Sequence, residues 1–226
     1  MGQTWRHLLF AHWPVDPERL VEVVPSQLPL DVRDGSAWIG VTPFGVEGLR
    51  LRRLPPAPIV SRFLEVNVRT YVTVDGKPGI YFLSLDASSR LAVAVARRAY
   101  RLPYFHSRIS LEAHDGGFFF QSERVSEDGE PAELAIAYAP SGPRLPQDDS
   151  IGRFLSERYC LYTLSEGGRV QRADIHHPPW PLQEASGSVE LNSMASPYGL
   201  ELSGEPMLHF SERQDVVLWN LERTDE

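Results

Sequence analysis

The clearest alternation of apolar and polar positions runs from residue 63 to residue 74. Leu64, Val66, Val68, Thr70 and Val72 recur at every second place and predict one face of a β-strand. Glu65, Asn67, Arg69, Tyr71 and Thr73 fall on the other face. A second β-rich run, residues 79–86, follows the turn sequence Asp75-Gly76-Lys77-Pro78, so the two runs read as a hairpin. The polar face of the first arm has two readings. It is the wetted side of a surface strand, or it lines a polar cavity inside a small barrel.

The same reading extends along the chain. Residues 4–13 form an apolar-rich run bounded by Pro14, a first strand with imperfect alternation. Asp16, Pro17 and Glu18 then supply the N-cap, first-position proline and acidic first turn of a short helix that Pro25 ends. Residues 28–31 and 37–43 read as strands joined at Asp34-Gly35. Residues 45–60, rich in Gly, Pro, Arg and Leu, read as a long connection lying over the barrel or capping an opening.

Ser88 or Ser89 starts a helix over residues 90–100, whose small apolar stretch Leu91-Ala92-Val93-Ala94-Val95-Ala96 predicts burial. Arg97, Arg98 and Arg101 sit where cations suit the helix dipole. Residues 107–114 and 118–124 form a hairpin about Asp115-Gly116-Gly117, residues 134–138 a strand and residues 140–149 a loop. Ser150 caps a third helix through Tyr159; strands at 160–164 and 170–176 flank a Ser165-Glu166-Gly167-Gly168 turn. Short strands near 187–191, 207–211 and 215–221 complete the tail. Many short strands with two or three helices predict an α+β barrel or highly curved sheet, with residues 1–226 forming one domain.

Composition narrows the function classes. With 226 residues, 42% of them hydrophobic, the chain is an ordinary globular protein rather than a disordered one. No apolar run approaches the length of a membrane span, and no basic segment followed by an apolar one marks a signal peptide. A net charge of −8 argues against a nucleic-acid partner. The single cysteine, Cys160, excludes an internal disulfide and a thiolate metal cluster. These features predict a soluble, cytoplasmic protein with no membrane partner, and homo-oligomer formation is compatible with them. Of the 22 basic residues only Lys77 is a lysine.

Candidate chemistry is sparse. The seven histidines never fall in a helical metal-binding spacing, and the adjacent His176 and His177 point to opposite faces of a strand, so no metal is expected. No Gly-x-Ser-x-Gly nucleophile motif and no Gly-rich phosphate loop occurs, so no cofactor is expected, and Cys160 in its alternating context reads as a small buried hydrophobe. Glu65 interrupts strong β-formers, Arg6 sits in an otherwise apolar strand, and Glu157-Arg158 ends a helix beside Tyr159. A barrel-interior Glu with a nearby Arg would bind a small carboxylate or act as an acid/base pair; the alternative is a buried ion pair holding the hairpin in register.

Several phrases carry a family resemblance: His12-Trp13-Pro14, Val24-Pro25, Ala37-Trp38-Ile39-Gly40-Val41 with Pro43-Phe44 after Gly35, and Glu65 through Val72. So do Tyr81-Phe82, Ser84-Leu85-Asp86, Leu102-Pro103-Tyr104, Glu157-Arg158-Tyr159 and His176 through Leu182. From about Trp5 to Trp219 the chain resembles the YqjF-like domain of unknown function, a member of the acetoacetate decarboxylase-like superfamily. The resemblance implies a mostly antiparallel, strongly curved, cone-like β-barrel with a central cavity. It also implies that Arg6 falls where the decarboxylase arginine lies and Glu65 near the glutamate of the strand after the long loop. Those decarboxylases use a Schiff-base lysine, which should fall around residues 101–104, and no lysine stands there. Lys77 at a hairpin tip lacks the desolvation or neighbouring cation that would lower an amine pKa, and arginine is never deprotonated.

Three readings follow. The first is a barrel binding a small carboxylate or keto ligand, without Schiff-base decarboxylase activity, in a cavity lined by Arg6, Glu65, Asn67, Arg69, Tyr104 and His106. The second is an enzyme with Glu65 as general acid/base and Arg6 orienting the substrate. The third is a protein-interaction module using residues 45–60 and an exposed Trp180 region.

Overall fold

A computed structural model describes residues 1–50, 62–146 and 150–224. In chain order the strands are β1 (Gly2–Val15), β2 (Ala37–Arg50), β3 (Arg62–Val74), β4 (Lys77–Ala87), β5 (Tyr104–His114) and β6 (Gly117–Arg124). They continue with β7 (Glu133–Arg144), β8 (Cys160–Leu164), β9 (Val170–His176), β10 (Gln183–Asn192), β11 (Met207–Leu218) and β12 (Glu222–Arg223). The α-helices among the described residues are α1 (Pro17–Val21), α2 (Arg90–Tyr100) and α3 (Ser150–Ser156).

All twelve strands belong to one sheet, ordered β12-β9-β8-β4-β3-β2-β1-β11-β10-β7-β6-β5. Pairing is antiparallel except at β4–β5 and β4–β8. The parallel contact of β4 with β5 curls the sheet into a ring of nine strands, from β4 through β3, β2, β1, β11, β10, β7 and β6 to β5. A second closure, β9 on β11, makes a smaller ring of seven: β9, β8, β4, β3, β2, β1 and β11. Strands β1–β4 and β11 belong to both rings, so each of their faces looks into an enclosed space. The expected strongly curved, mostly antiparallel α+β architecture is therefore present, built as two rings that share a wall.

Apolar side chains pack in both spaces. Leu9, Ile39, Val66, Val68, Phe120, Ile136 and Phe210 pack in the larger ring. On the other side of the shared wall, Ile80, Leu161, Ile175 and Val216 form one cluster, and Leu8, Phe10, Phe44, Val46 and Trp180 another. Trp5 packs against both of these clusters and joins them.

The predicted β3–β4 hairpin forms with Glu65 opposite Ala87 and Val74 opposite Lys77. Asp75 and Gly76 take the left-handed backbone (φ 50° and 73°) that a tight two-residue hairpin turn demands. Asp16 caps α1 by accepting from the Glu18 amide, as its sequence predicts.

Strand β1 departs from regular alternation for a visible reason. His7 has φ of 51°, and pairing with β2 shifts between Arg6 and Ala11. Residues 5 and 10 would lie on opposite faces of an ideal strand. Here Trp5 and Phe10 both pack on Trp180, at centroid distances of 5.9 and 4.9 Å, so the bulge has turned the second half of the strand over.

Several expectations change. Residues 28–31 make only a single antiparallel bridge, Leu30 to Val72, along the end of β3 beyond the last β2 pair at Thr70. Residues 45–50 are not loop: they extend β2 along β1 and β3, while the rest of the expected connection lies outside the described residues. Residues 140–144 likewise extend β7, held by pairing with β10 between Pro140 and Ala185 and between Arg144 and Gln183. The two predicted tail strands are one, β11. Helix α2 buries Ala92, Val93 and Tyr100 but leaves Leu91 and Val95 half-exposed, since it only crosses the rim between β4 and β5. Its apolar run marks one packed stripe, not all-round burial.

Candidate functional site

The polar face of β3 looks into the seven-strand ring. Glu65, Asn67, Arg69 and Tyr71 are each 5% exposed or less, which decides between the two readings of that face: it is an interior lining. Opposite them on β2 stand Phe44 beside Glu65, Thr42 beside Asn67, and Gly40 beside Arg69. His12 of β1 faces Gly40 in turn.

At one end, the Tyr104 hydroxyl donates to Oε2 of Glu65 at 3.1 Å. The parallel pairing of β5 on β4 puts Tyr104 opposite Leu85, and Arg97 of α2 holds its carbonyl. No cation among the described residues pairs with Glu65. Burial therefore pushes its carboxyl up to about 8, the Tyr104 hydrogen bond opposes this, and the charge of Asp86 adds to it. Glu65 is a neutral acid at pH 7, able to donate as well as accept. Burial first, then Glu65, holds the Tyr104 phenol well above its ordinary value, so it remains a donor.

At the other end lies Arg69. Its guanidinium sits over the rings of Phe10 (5.0 Å) and Tyr71 (5.8 Å), and its Nε and Nη2 are buried without a hydrogen-bond partner. Among the described residues no carboxylate lies within ion-pair distance of it. The contrast with Arg158 is direct. That side chain stacks on Tyr71 and Phe154 but has its own acid, Asp31, at 2.6 Å.

His12 shares a 2.6 Å hydrogen bond between its Nε2 and the Tyr71 hydroxyl. It is held neutral by burial first, then by Arg69 and His209. Gly40 makes room for this contact, since a Cβ there would stand 3.1 Å from the His12 ring and 3.3 Å from the Tyr71 oxygen. Asn67 Oδ1 and Thr42 Oγ1 are also buried and unpartnered.

An aromatic wall joins the two ends. Phe44, opposite Glu65, packs on Trp5 at 5.1 Å; Trp5 stacks on Trp180; Trp180 meets Phe10 edge-on; and Phe10 carries Arg69. The indole Nε1 groups of Trp5 and Trp180 are buried with no acceptor. Trp180 is 6% exposed, so the expected exposed Trp180 surface does not exist. Its amide N–H donates to Glu157 Oε1 at 2.9 Å, and beyond it a cavity of about 100 Å³ is lined by Glu157, Tyr159 and Leu182.

Glu65, Asn67, Arg69 and Tyr104 of the predicted set thus come together inside the ring. Arg6 does not. It lies opposite Gly45, which lies opposite Leu64, so it is on the face away from Glu65, half-exposed and paired with Glu47 at 3.4 Å. His106 lies opposite Ala87 at the rim, half-exposed, its imidazole pulled down by burial and by Arg90. Its main-chain N–H is held by Ser126 at 2.7 Å. Trp5, Phe10, His12, Thr42 and Trp180 were not legible as site residues, because only the β2–β3 register, the β1 bulge and the ring closure bring them onto this face.

The sequence profile of the DUF2071 family, described as uncharacterized conserved proteins, matches residues 2–215. The chain belongs to the DUF2071 family. This DUF2071 protein is 44% identical over 225 residues to the uncharacterized protein YqjF of Bacillus subtilis (strain 168), covering 99% of its own length and 92% of the relative's. In fold it is similar to acetoacetate decarboxylase from Legionella pneumophila, with TM-score 0.68, 11% identity, and coverage of 100% of this chain and 88% of that one. An acetoacetate decarboxylase-like enzyme from Sphingomonas wittichii RW1 superposes with TM-score 0.67 at 13% identity, over 98% of this chain and 91% of that one. The enduracididine biosynthesis enzyme MppR complexed with pyruvate gives TM-score 0.66 at 11% identity, over 98% and 89%.

The DUF2071 chain has a single lysine. Lys77 opens β4 outside the polar cluster, bonded to Asp174 at 2.8 Å. Cys160 is buried and its thiol pushed up by burial. Among the described residues no group of three or more His, Cys, Asp or Glu is placed to hold a metal ion, and no helix is long and apolar enough to cross a membrane.

Proposed function

We propose that the protein binds a small organic carboxylate, keto acids included, inside the seven-strand ring, with Arg69 receiving the carboxylate. The observation that carries this reading is a guanidinium 5% exposed with two of its nitrogens unpartnered. An uncompensated buried charge costs several kcal/mol, and arginine cannot escape the cost by losing its proton. A bound anion would remove that cost and fill the unused donors with charge-assisted hydrogen bonds. The unpartnered Asn67 and Thr42 and the neutral Glu65–Tyr104 pair would then hold the rest of the ligand. The pyruvate-bound MppR, of the same fold, supports a keto acid as one member of the class.

In this reading the ligand site is that of a cytoplasmic binding protein that does no Schiff-base chemistry, since Lys77 is engaged by Asp174 far from Arg69 in the strand register. A second reading has a specific observation behind it. A carboxyl raised to about 8 and hydrogen-bonded to Tyr104 is matched to proton transfer near neutrality, which suits Glu65 as general acid/base on the bound keto or carboxylic acid. Glu65→Gln would separate the two, abolishing any turnover while leaving binding in place.

The test is a thermal-shift panel of short carboxylates, keto acids and aromatic acids. A ligand at 100 times its Kd stabilises the folded state by about 2.7 kcal/mol, which raises Tm by roughly 5–11 °C in a chain of this size. The shift should vanish in Arg69→Met and persist in Arg6→Ala. A panel without a single shift, or an Arg69→Met protein that still responds, would refute the assignment.

A further inference from the structure

We infer that the carboxylate is carried on an aromatic ring, so that the ligand class is a compact aryl acid; this rests on the carboxylate reading above and narrows it. The side chains packed around Arg69 differ from those in the rest of the same ring. The neighbouring cluster is mostly aliphatic, with Ile80, Leu85, Leu161, Ile175 and Val216 beside Phe82 and Tyr100, and Trp5 packs on its edge. The cluster that touches Arg69 holds Phe10, Phe44 and Trp180 with Trp5 packed on them, interleaved with Leu8, Val46 and Leu182. Trp5 and Trp180 lie nearly parallel (22°) at 5.9 Å, and Phe10 meets Trp180 at 88° and 4.9 Å.

Flat faces and edges in this arrangement reward a planar ring over an aliphatic one of equal size, because each well-placed aromatic pair adds to plain area burial. The polar groups agree. The buried N–H groups of Trp5 and Trp180 lack acceptors, as do Arg69 Nε and Nη2, and Phe10 touches both Arg69 and Trp180. A carboxylate offers about four acceptor sites on two oxygens, enough to meet the guanidinium fork and an indole N–H together. The ring that bears it then lies along the aromatic wall towards Phe44 and the neutral Glu65.

The experiment compares matched probes by calorimetry: benzoate against cyclohexanecarboxylate, and phenylacetate against cyclohexylacetate. Each pair shares its charge and nearly its size and differs in the ring. In the wild-type chain the aromatic member of at least one pair should bind about tenfold more tightly. Trp180→Leu should bring it down to its aliphatic counterpart. Phe10→Leu serves the same purpose where Trp180→Leu does not fold, and the wild-type comparison stands without either variant. Equal affinity within both pairs, with binding still lost in Arg69→Met, would overturn the aryl preference and leave the carboxylate site standing. No binding of any probe would overturn both.

Discussion

Replacing Glu65 by glutamine isolates the most perturbed acid of the interior. The substitution keeps shape and hydrogen-bonding capacity, so the amide oxygen still accepts from Tyr104, and it removes the ability to ionise. Glu65 is 5% exposed and titrates at about 8 in the folded chain, against 4.5 in its ordinary state. Between those values the folded protein holds a proton that the unfolded chain has released. Stability therefore falls as pH rises from the unfolded value to the folded one, and levels off above it. Each pH unit within that window is about 1.4 kcal/mol, so at pH 7 the carboxyl costs the wild type about 3 kcal/mol relative to a group that never ionises. Urea unfolding of both proteins at pH 4.5, 7 and 8.5 measures this directly. Glu65→Gln and wild type should coincide near pH 4.5, and the variant should be more stable by about 3 kcal/mol at pH 7, more again at pH 8.5. A difference that does not change with pH would show that Glu65 ionises normally and would remove the basis for treating it as a neutral donor.

Three further outcomes follow from the same geometry. Asp86 and Arg124, both almost fully buried and joined at 2.8 Å, hold β4 to β6, and Asp86 also accepts from Ser107; Asp86→Ala should cost about 3–5 kcal/mol in chemical denaturation because it strands the cation, whereas an Asp86→Leu/Arg124→Met double variant should cost much less. A Cβ at Gly187 would stand 2.3 Å from the Ala137 carbonyl oxygen, so Gly187→Ala should part β10 from β7 and lower stability by about 1–3 kcal/mol, seen as loss of amide-exchange protection there. His12 has its imidazole well below 6.5, so the unfolded chain takes up a proton first and stability attributable to His12 is lost as pH falls below 6.5; NMR titration should show His12 still neutral at pH 6, and a normal midpoint would contradict its enclosure between Tyr71 and Arg69.

Local signals along the chain were read directly from residue type. The Asp75-Gly76 turn, the Asp16 cap of α1 and the 90–100 helix all depend on backbone preferences of a few adjacent residues, and each appears where those preferences put it. The absence of a usable lysine is likewise a property of the sequence alone, and the alternation of β3 separated Glu65, Asn67 and Arg69 from the aliphatic face without any tertiary information. Period-two alternation says that a strand has two faces, not what each face meets. Two closures between distant segments, β4 on β5 and β9 on β11, decided that both faces of β3 are enclosed. The same global geometry exchanged the arginines: the backbone at residues 6 and 7 leaves Arg6 with Glu47 on the face away from Glu65 and turns Phe10 and His12 towards Arg69. It also buried Trp180, which the interaction-module reading places on the surface. These outcomes depend on pairings between separate strands, some of them from opposite ends of the chain, and on a one-residue bulge that changes which side chains share a face, so no local pattern could carry them.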